Sequence, residues 1–198
     1  MKLAVLAGST ALAMALAFPV HAHEKIYTVI LDGPSEAPPN ASLGHGTATI
    51  TFDLDLVTMR VQATFAGLTG NVTASHIHCC TTFPGISTAG VATVTPTFTG
   101  FPSGVKSGTY DHLFDMTLAG SYNPAFITAH GSVSGALNDL LAGLDAGKGY
   151  LNIHTNAVPS GEIRGFLVPV PEPETYAMFL SGLGILGAAA RRRKVAAV

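Results

Sequence analysis

An alternation of apolar and polar residues runs through the middle of the chain and predicts β-strands. In the clearest example, residues 58–65, every second residue is apolar, and these residues share one face because strand side chains point alternately to opposite sides. Other runs are rich in β-branched residues and end at Gly, Pro or Asp, which favour turns. The remaining strand candidates are residues 26–31, 46–53, 74–78, 108–118, 150–154 and 162–168.

One segment follows a helical period instead. Leucines recur at intervals of three and four residues, at positions 137, 140, 141 and 144, so we expect one short amphipathic helix with its leucines packed on the core. The stretch 79–106 is rich in Thr, Gly and Pro and is expected to form a long, partly irregular loop, a kind of loop that often carries function. Many short strands with Gly and Pro turns predict an all-β sandwich or barrel.

The first 22 residues have the parts of a secretory signal peptide. Lys2 provides a basic start, residues 3–18 are almost wholly apolar, and Val20-His21-Ala22 places small residues near a cleavage point. A transmembrane anchor is the alternative, but the apolar run is short, ends at Pro19 and is followed by polar residues. We therefore expect residues 1–22 to form a signal helix that is removed on export.

The C-terminal end carries a second targeting pattern. Pro171-Glu172-Pro173 is followed by an apolar stretch from Tyr176 to Ala190 and then by the basic residues 191–194. The stretch is shorter than the about 20 apolar residues of a stable spanning helix, and the basic residues are expected to stay in the cytoplasm. This order of parts resembles the PEP-CTERM sorting signal of Gram-negative bacteria.

The PEP-CTERM resemblance implies an exosortase as partner and a tail, residues 169–198, whose membrane helix holds the protein transiently at the inner membrane. An ordinary single-pass anchor is the alternative. Both interpretations place residues 23–168 outside the cytoplasm, at the cell envelope, the cell surface or beyond it.

Residues 23–168 have the size of one domain. Only 11% of the chain is charged and its net charge is −2. Because residues 191–194 supply four of the ten Lys and Arg, the segment 23–168 is acidic and has no basic stripe that could neutralise phosphates. We therefore expect no nucleic-acid partner.

Three blocks of this segment resemble a known domain. They are residues 31–46, which include Ser35-Glu36-Ala37-Pro38-Pro39, residues 74–78 and residues 149–165. The blocks are similar to the CHRD domain, first described in chordin and widespread in exported bacterial proteins. The resemblance implies an immunoglobulin-like Greek-key β-sandwich or barrel, with a suspected kinship to copper–zinc superoxide dismutase, and no settled activity.

Histidines in two of these blocks are candidate metal ligands. His76 and His78 are two residues apart, so in a strand their rings point to one face, on which Cys80 also falls. The resemblance brings the block of His154 beside them. Imidazole and thiolate ligands suit zinc or copper, so we predict a metal site of His76, His78 and His154 with Cys80 as the fourth ligand. The alternative is that the histidines line a polar seam.

Cys79 and Cys80 are the only cysteines of the chain. Neighbouring Cα atoms lie about 3.8 Å apart across a trans peptide bond, below the usual disulfide range of about 4.4–6.8 Å. A disulfide between them would need a distorted turn. Otherwise the thiols are free, metal-bound or paired between chains, and the sequence leaves these alternatives open.

Glu162 and Arg164 are predicted to be structural residues. They lie two apart on one predicted strand, so their side chains share a face and are expected to form an ion pair that ties the last strand to a neighbour. No nucleophile elbow, phosphate-binding loop or His-Glu-x-x-His motif is present, so we identify no catalytic or cofactor-binding residue.

Two classes of function follow from these patterns. The first is a non-enzymatic surface or extracellular-matrix module that binds a metal, an exopolysaccharide or a surface protein. The second is a metalloenzyme with superoxide-dismutase-like redox chemistry. The first is favoured, because a dismutase-like copper site needs further histidines, and His45, His112 and His130 show no motif spacing.

Overall fold

The computed structural model describes residues 23–171 and 179–186 of the 198-residue chain. Its main feature is one antiparallel sheet, curled into a half-barrel. The strands are β1 (Glu24–Asp32), β2 (His45–Asp53), β3 (Thr58–Ala66), β4 (Val72–His78), β5 (Gly108–Asp115), β6 (Tyr150–Thr155), β7 (Ile163–Phe166) and β8 (Val168–Pro169). The helices are a 3-10 turn (Ala119–Ser121), α1 (Pro124–Ala129) and α2 (Val133–Asp145), and residues 179–186 are also helical.

The strand order across the sheet is β4-β6-β7-β1-β2-β3-β5, and β8 also pairs with β1. β1, β2 and β3 follow one another as a meander. Between β2 and β3 the Asp53 carboxylate accepts hydrogen bonds from the backbone N–H groups of Asp55 and Leu56, which fixes the turn. The chain then crosses to the opposite edge, so β4 pairs with β6 rather than with β3.

The core lies on the inner face of the sheet. Alternate residues of β1, β2 and β3 are buried there, as the period of two requires. Helix α2 packs on this face through the buried residues Ala136, Leu140 and Leu144, and the other two leucines of its stripe, Leu137 and Leu141, are half-buried against the core. The predicted all-β fold, its seven strands and this helix are therefore confirmed.

The structure adds elements that were not predicted. α1 has only six residues, too few to show a helical period, although Pro124 at its start and the side chain of Asn123, which accepts a hydrogen bond from the Ala125 N–H, are helix-start signals. The 3-10 turn at Ala119–Ser121 and the short strand β8 are the other additions. The immunoglobulin-like Greek-key arrangement stays a prediction.

The predicted targeting segments fall largely outside the described residues. Residues 1–22, the expected signal helix, lie outside them, as do residues 172–178 and 187–198 of the tail. Among the helices of residues 23–171 and 179–186, none combines the length and apolarity that a membrane crossing requires.

The predicted long loop between β4 and β5 covers the outer edge of β4. Ala92 donates its N–H to the Ile77 carbonyl (2.9 Å) and Phe98 donates to the Ser75 carbonyl (2.9 Å). The loop also buries Phe98 and Phe101 in the core. It thereby satisfies backbone groups that an open edge strand would leave unpaired, and it walls the site described next.

Candidate metal centre

The three predicted histidines come together on one face of β4 and β6. In the antiparallel register Ala74 lies opposite His154, His76 opposite Asn152, and His78 opposite Tyr150. Alternation then places both β4 histidines on the same face as His154. One ligand nitrogen from each of the three rings lies within 4.8 Å of the others.

The spacing of the rings suits a shared ion. His76 Nδ1 is 3.2 Å from His78 Nε2, and the ring centroids of His76 and His154 are 4.8 Å apart. Two nitrogens bound tetrahedrally to one zinc at its usual bond length are about 3.3 Å apart. The separation of 3.2 Å fits a common metal ion as well as a hydrogen bond between two rings.

Backbone carbonyls orient the rings. The Nδ1 atoms of His78 and His154 lie 2.9 Å from the carbonyl oxygens of Ala89 and Pro159. A carbonyl only accepts, so each Nδ1 carries the proton and each Nε2 keeps its lone pair in the neutral ring. Metal-bound histidines are held in this way by an acceptor at the other nitrogen.

His154 Nε2 is buried and has no hydrogen-bond partner among the described residues. A buried polar atom without a partner is unusual and calls for an explanation, such as an ion or a water molecule. His154 Nε2 thus carries a lone pair that is shielded from solvent and lies beside two other imidazoles.

The electrostatics of the cluster keep the rings neutral. Burial lowers the pKa of all three, and the pKa falls to about 3 for His76 and to about 4 for His78. The neighbouring rings of His154 and His78 lower the pKa of His76 further. Neutral imidazole is the form that binds a metal ion, so the cluster is ready for binding at neutral pH.

Cys80 does not join the cluster. Cys79 and Cys80 form a disulfide with each other, and Cys80 Sγ lies 3.7 Å from the Asp139 carbonyl of α2. This corrects the prediction of a thiolate as fourth ligand. The reason is that β4 ends at His78, so the strand alternation that placed Cys80 on the histidine face does not extend to it.

Gly143 of α2 gives the disulfide its room, since a Cβ there would collide with both sulfurs. We expect Gly143→Ala to lower the free energy of unfolding by about 1–2 kcal/mol through this overpacking, although alanine favours a helix by about 1 kcal/mol over glycine. Urea unfolding measures the change. In a variant with Cys79 and Cys80 both replaced by serine, Gly143→Ala should lower the free energy of unfolding by less. The same loss in both backgrounds would show that the sulfurs are not its cause.

A buried polar network lies beside the histidines on β6 and β7. Asn152 Nδ2 donates to the two carboxylate oxygens of Glu36 (3.1 and 3.3 Å), and Arg164 Nε lies 3.9 Å from Glu36 Oε2. The Arg164 guanidinium also lies 4.8 Å above the ring of Tyr150, which stacks on His78. Glu36 and Asn152 were missed as site residues, although both stand in the blocks that carry the family resemblance.

The predicted ion pair between Glu162 and Arg164 is wrong. Arg164 instead donates to the carbonyls of Ser35 and Ser87 and pairs with Glu36. Glu162 precedes the first residue of β7, so the alternation of the strand does not place it on the face of Arg164. Both side chains are buried, each in its own hydrogen-bond network.

Glu162 accepts four hydrogen bonds from three parts of the chain. Its donors are Ser42 Oγ (2.6 Å), the Thr69 N–H, the Gly70 N–H (3.0 Å) and Thr155 Oγ1 (2.6 Å). Burial raises the pKa of this carboxyl, but the four hydrogen bonds together have the larger effect and lower the pKa to about 2. Glu162 is therefore an ionised structural anchor.

The fold and the histidine cluster together define an all-β module with a polar site on one sheet face. The CHRD domain model matches residues 27–167, and the PEP-CTERM protein-sorting motif matches residues 169–194. No match was found among the curated proteins or among the solved structures. The chain belongs to the CHRD domain family, as the sequence blocks predicted.

The sorting motif indicates the localisation of the protein. PEP-CTERM signals mark exported proteins of the cell envelope and imply processing by exosortase sorting machinery. The predicted exosortase partner and the predicted export are thereby confirmed.

Proposed function

We propose that this domain is a surface module that binds one transition-metal ion, zinc or copper, through His76, His78 and His154. The observation that carries the proposal is the buried, unpartnered Nε2 of His154. A hydrogen-bonded polar seam would supply a donor to this atom, whereas a metal ion would use its lone pair.

The histidines outside the cluster support a binding module rather than a dismutase-like enzyme. His45 Nδ1 bonds to the Leu43 carbonyl, His130 Nδ1 bonds to Asp139, and the ring of His112 stacks on Tyr110. Each of these rings has its own partner away from the three-histidine group. The described residues thus offer one ion three imidazoles.

We also propose how the module is held. Residues 23–168 form the domain, and the tail 169–198 places its helix in the inner membrane until the exosortase acts. The match of the sorting motif to residues 169–194 supports this arrangement. An exopolysaccharide or another surface protein is the proposed neighbour of the domain after sorting.

The metal proposal predicts that His154→Ala abolishes stoichiometric binding. Metal-free protein is incubated with zinc or copper, freed of excess ion and analysed for metal content. We expect about one ion per wild-type chain. Loss of one of three ligands should weaken the affinity by more than the 10–100-fold that loss of a supporting hydrogen-bond partner costs, since the metal–ligand bond itself is removed.

The matched control is His45→Ala, because His45 is exposed and lies outside the cluster. It should keep the metal content and affinity of the wild type. Circular dichroism of both variants checks that the sheet is intact. Equal metal content in wild type, His154→Ala and His45→Ala, or no metal in any of them, would leave the three histidines as structural residues and overturn the proposal.

A further inference from the structure

We propose that a metal ion held by His76, His78 and His154 has a water molecule as its fourth ligand, and that this water donates a hydrogen bond to Asn152 Oδ1. Small anions can then replace the water at this open position. This inference rests on the proposed metal binding. It assigns to Asn152 a positioning role in the site and defines the ligand class of the open position as monodentate anions.

Two buried acceptors without partners belong to residues on the same face of β6. Within the described part of the chain, Asn152 Oδ1 and His154 Nε2 are the buried side-chain polar atoms that lack a hydrogen-bond partner. They belong to residues two apart on β6, so both side chains point to the same face, and Asn152 lies directly opposite His76 in the register. One ion carrying one water would satisfy both atoms.

The orientation of the Asn152 amide follows from its neighbours. Its Nδ2 lies 3.1 and 3.3 Å from the two Glu36 oxygens, and the ionised carboxylate paired with Arg164 only accepts. The amide oxygen is therefore left free as an acceptor. Gly161 packs so closely that a Cβ there would lie 2.8 Å from Asn152 Oδ1 and 2.6 Å from Glu36 Oε1, which restricts movement of the amide.

The chemistry of the ligand set matches an open position. A zinc ion with three protein ligands takes water or substrate as the fourth, whereas closed structural sites have four protein ligands. The disulfide removes Cys80 as a competitor for this position. A metal-bound water must donate its hydrogens, and Asn152 Oδ1 can accept one of them. An anion lacks these hydrogens, so Asn152 favours water over the anion.

The experiment uses cobalt(II) as a visible probe of coordination, with azide as the anion. Azide should change the visible spectrum of the cobalt-loaded wild type saturably. Asn152→Leu removes the acceptor. We therefore expect about 10-fold weaker cobalt binding and azide binding that is several-fold tighter than in the wild type. Asn152→Ser, whose hydroxyl is too short to reach the water, should behave like Asn152→Leu if the latter does not fold.

Asn138→Leu is the matched control, since Asn138 is exposed on α2, and it should retain wild-type affinities for cobalt and azide. Absence of cobalt binding in the wild type would overturn the proposed function itself. Cobalt binding without any response to azide would show a closed site and overturn only the open position. An azide affinity that is the same in wild type and in the folded Asn152 variant would overturn the role of Asn152.

Discussion

Replacing Arg164 with alanine is expected to lower the free energy of unfolding by about 3–5 kcal/mol, because the buried Glu36 carboxyl loses its cation and must either carry an unpaired charge or take up a proton. Arg164 and Glu36 are only 4% and 6% exposed. The variant also removes the donor to the Ser35 and Ser87 carbonyls and the cation above the Tyr150 ring. Urea denaturation of the wild type and the variant at pH 7 measures the loss.

The control for Arg164 is Arg60→Ala. Arg60 forms a two-point hydrogen bond with Asp111 (2.7 and 2.6 Å), but this pair is about half exposed. An exposed pair contributes only about 0–1 kcal/mol. Similar losses for the two variants would show that Arg164 is not buried as described and that the network beside the histidines is looser than the structure indicates.

The pH dependence of the Arg164 variant provides a second measurement. The pKa of Glu36 is about 7, because burial raises it by more than the nearby Arg164 lowers it. The folded pKa lies above the ordinary value of about 4.3. The free energy of unfolding of the wild type should therefore decrease as pH rises from about 4.3 towards 7, because the folded state then loses a proton that it binds more tightly than the unfolded state. Without Arg164 this decline should be steeper and extend to higher pH, whereas a parallel pH profile would contradict the pairing.

Glu162→Gln is the second change with a large expected effect, about 3 kcal/mol at pH 7. The neutral amide can no longer accept from all four donors, and either the Thr69 or the Gly70 N–H must face an NH₂ group. An unsatisfied buried donor costs about 1–3 kcal/mol. The charge-assisted bonds from Ser42 and Thr155 are weakened as well.

The acid dependence of stability identifies the charge as the cause. The folded pKa of Glu162 is about 2, below the ordinary value of about 4.3. Its contribution is therefore present above the ordinary pKa and is lost as pH falls towards 2. Urea unfolding between pH 2 and 5 should give a smaller slope for Glu162→Gln than for the wild type. Glu24→Gln at an exposed strand end should keep the wild-type slope.

Local patterns in the sequence were sufficient for the strands and for α2. A period of two or of three and four residues reflects which side chains face the core, and that information is local. The alternation rule gave wrong predictions for residues just beyond the end of a strand. Cys80 follows the last residue of β4 and Glu162 precedes the first residue of β7, so neither residue points where continued alternation would place it.

The site itself depends on contacts between distant segments. The histidine spacing indicated a shared face for His76 and His78, but only the family resemblance brought His154 beside them. The burial of Glu36 and Asn152 depends on the loop after β1 closing over β6 and β7. No local period encodes such a closure, and a polar residue in a loop gives no sign that it will be buried.

The pairing of β8 with β1 fixes the point at which the sorting motif leaves the sheet. Pro169 pairs with Tyr27, and the Val170 N–H bonds to the Ile26 carbonyl, so the sorting motif begins where the sheet ends. Arg164 pairs with β1 five residues further on, at Asp32, roughly 17 Å along the strand. The sorting motif thus leaves the sheet at one end of β1, and the histidine cluster lies at the other end, in the rows beside Arg164.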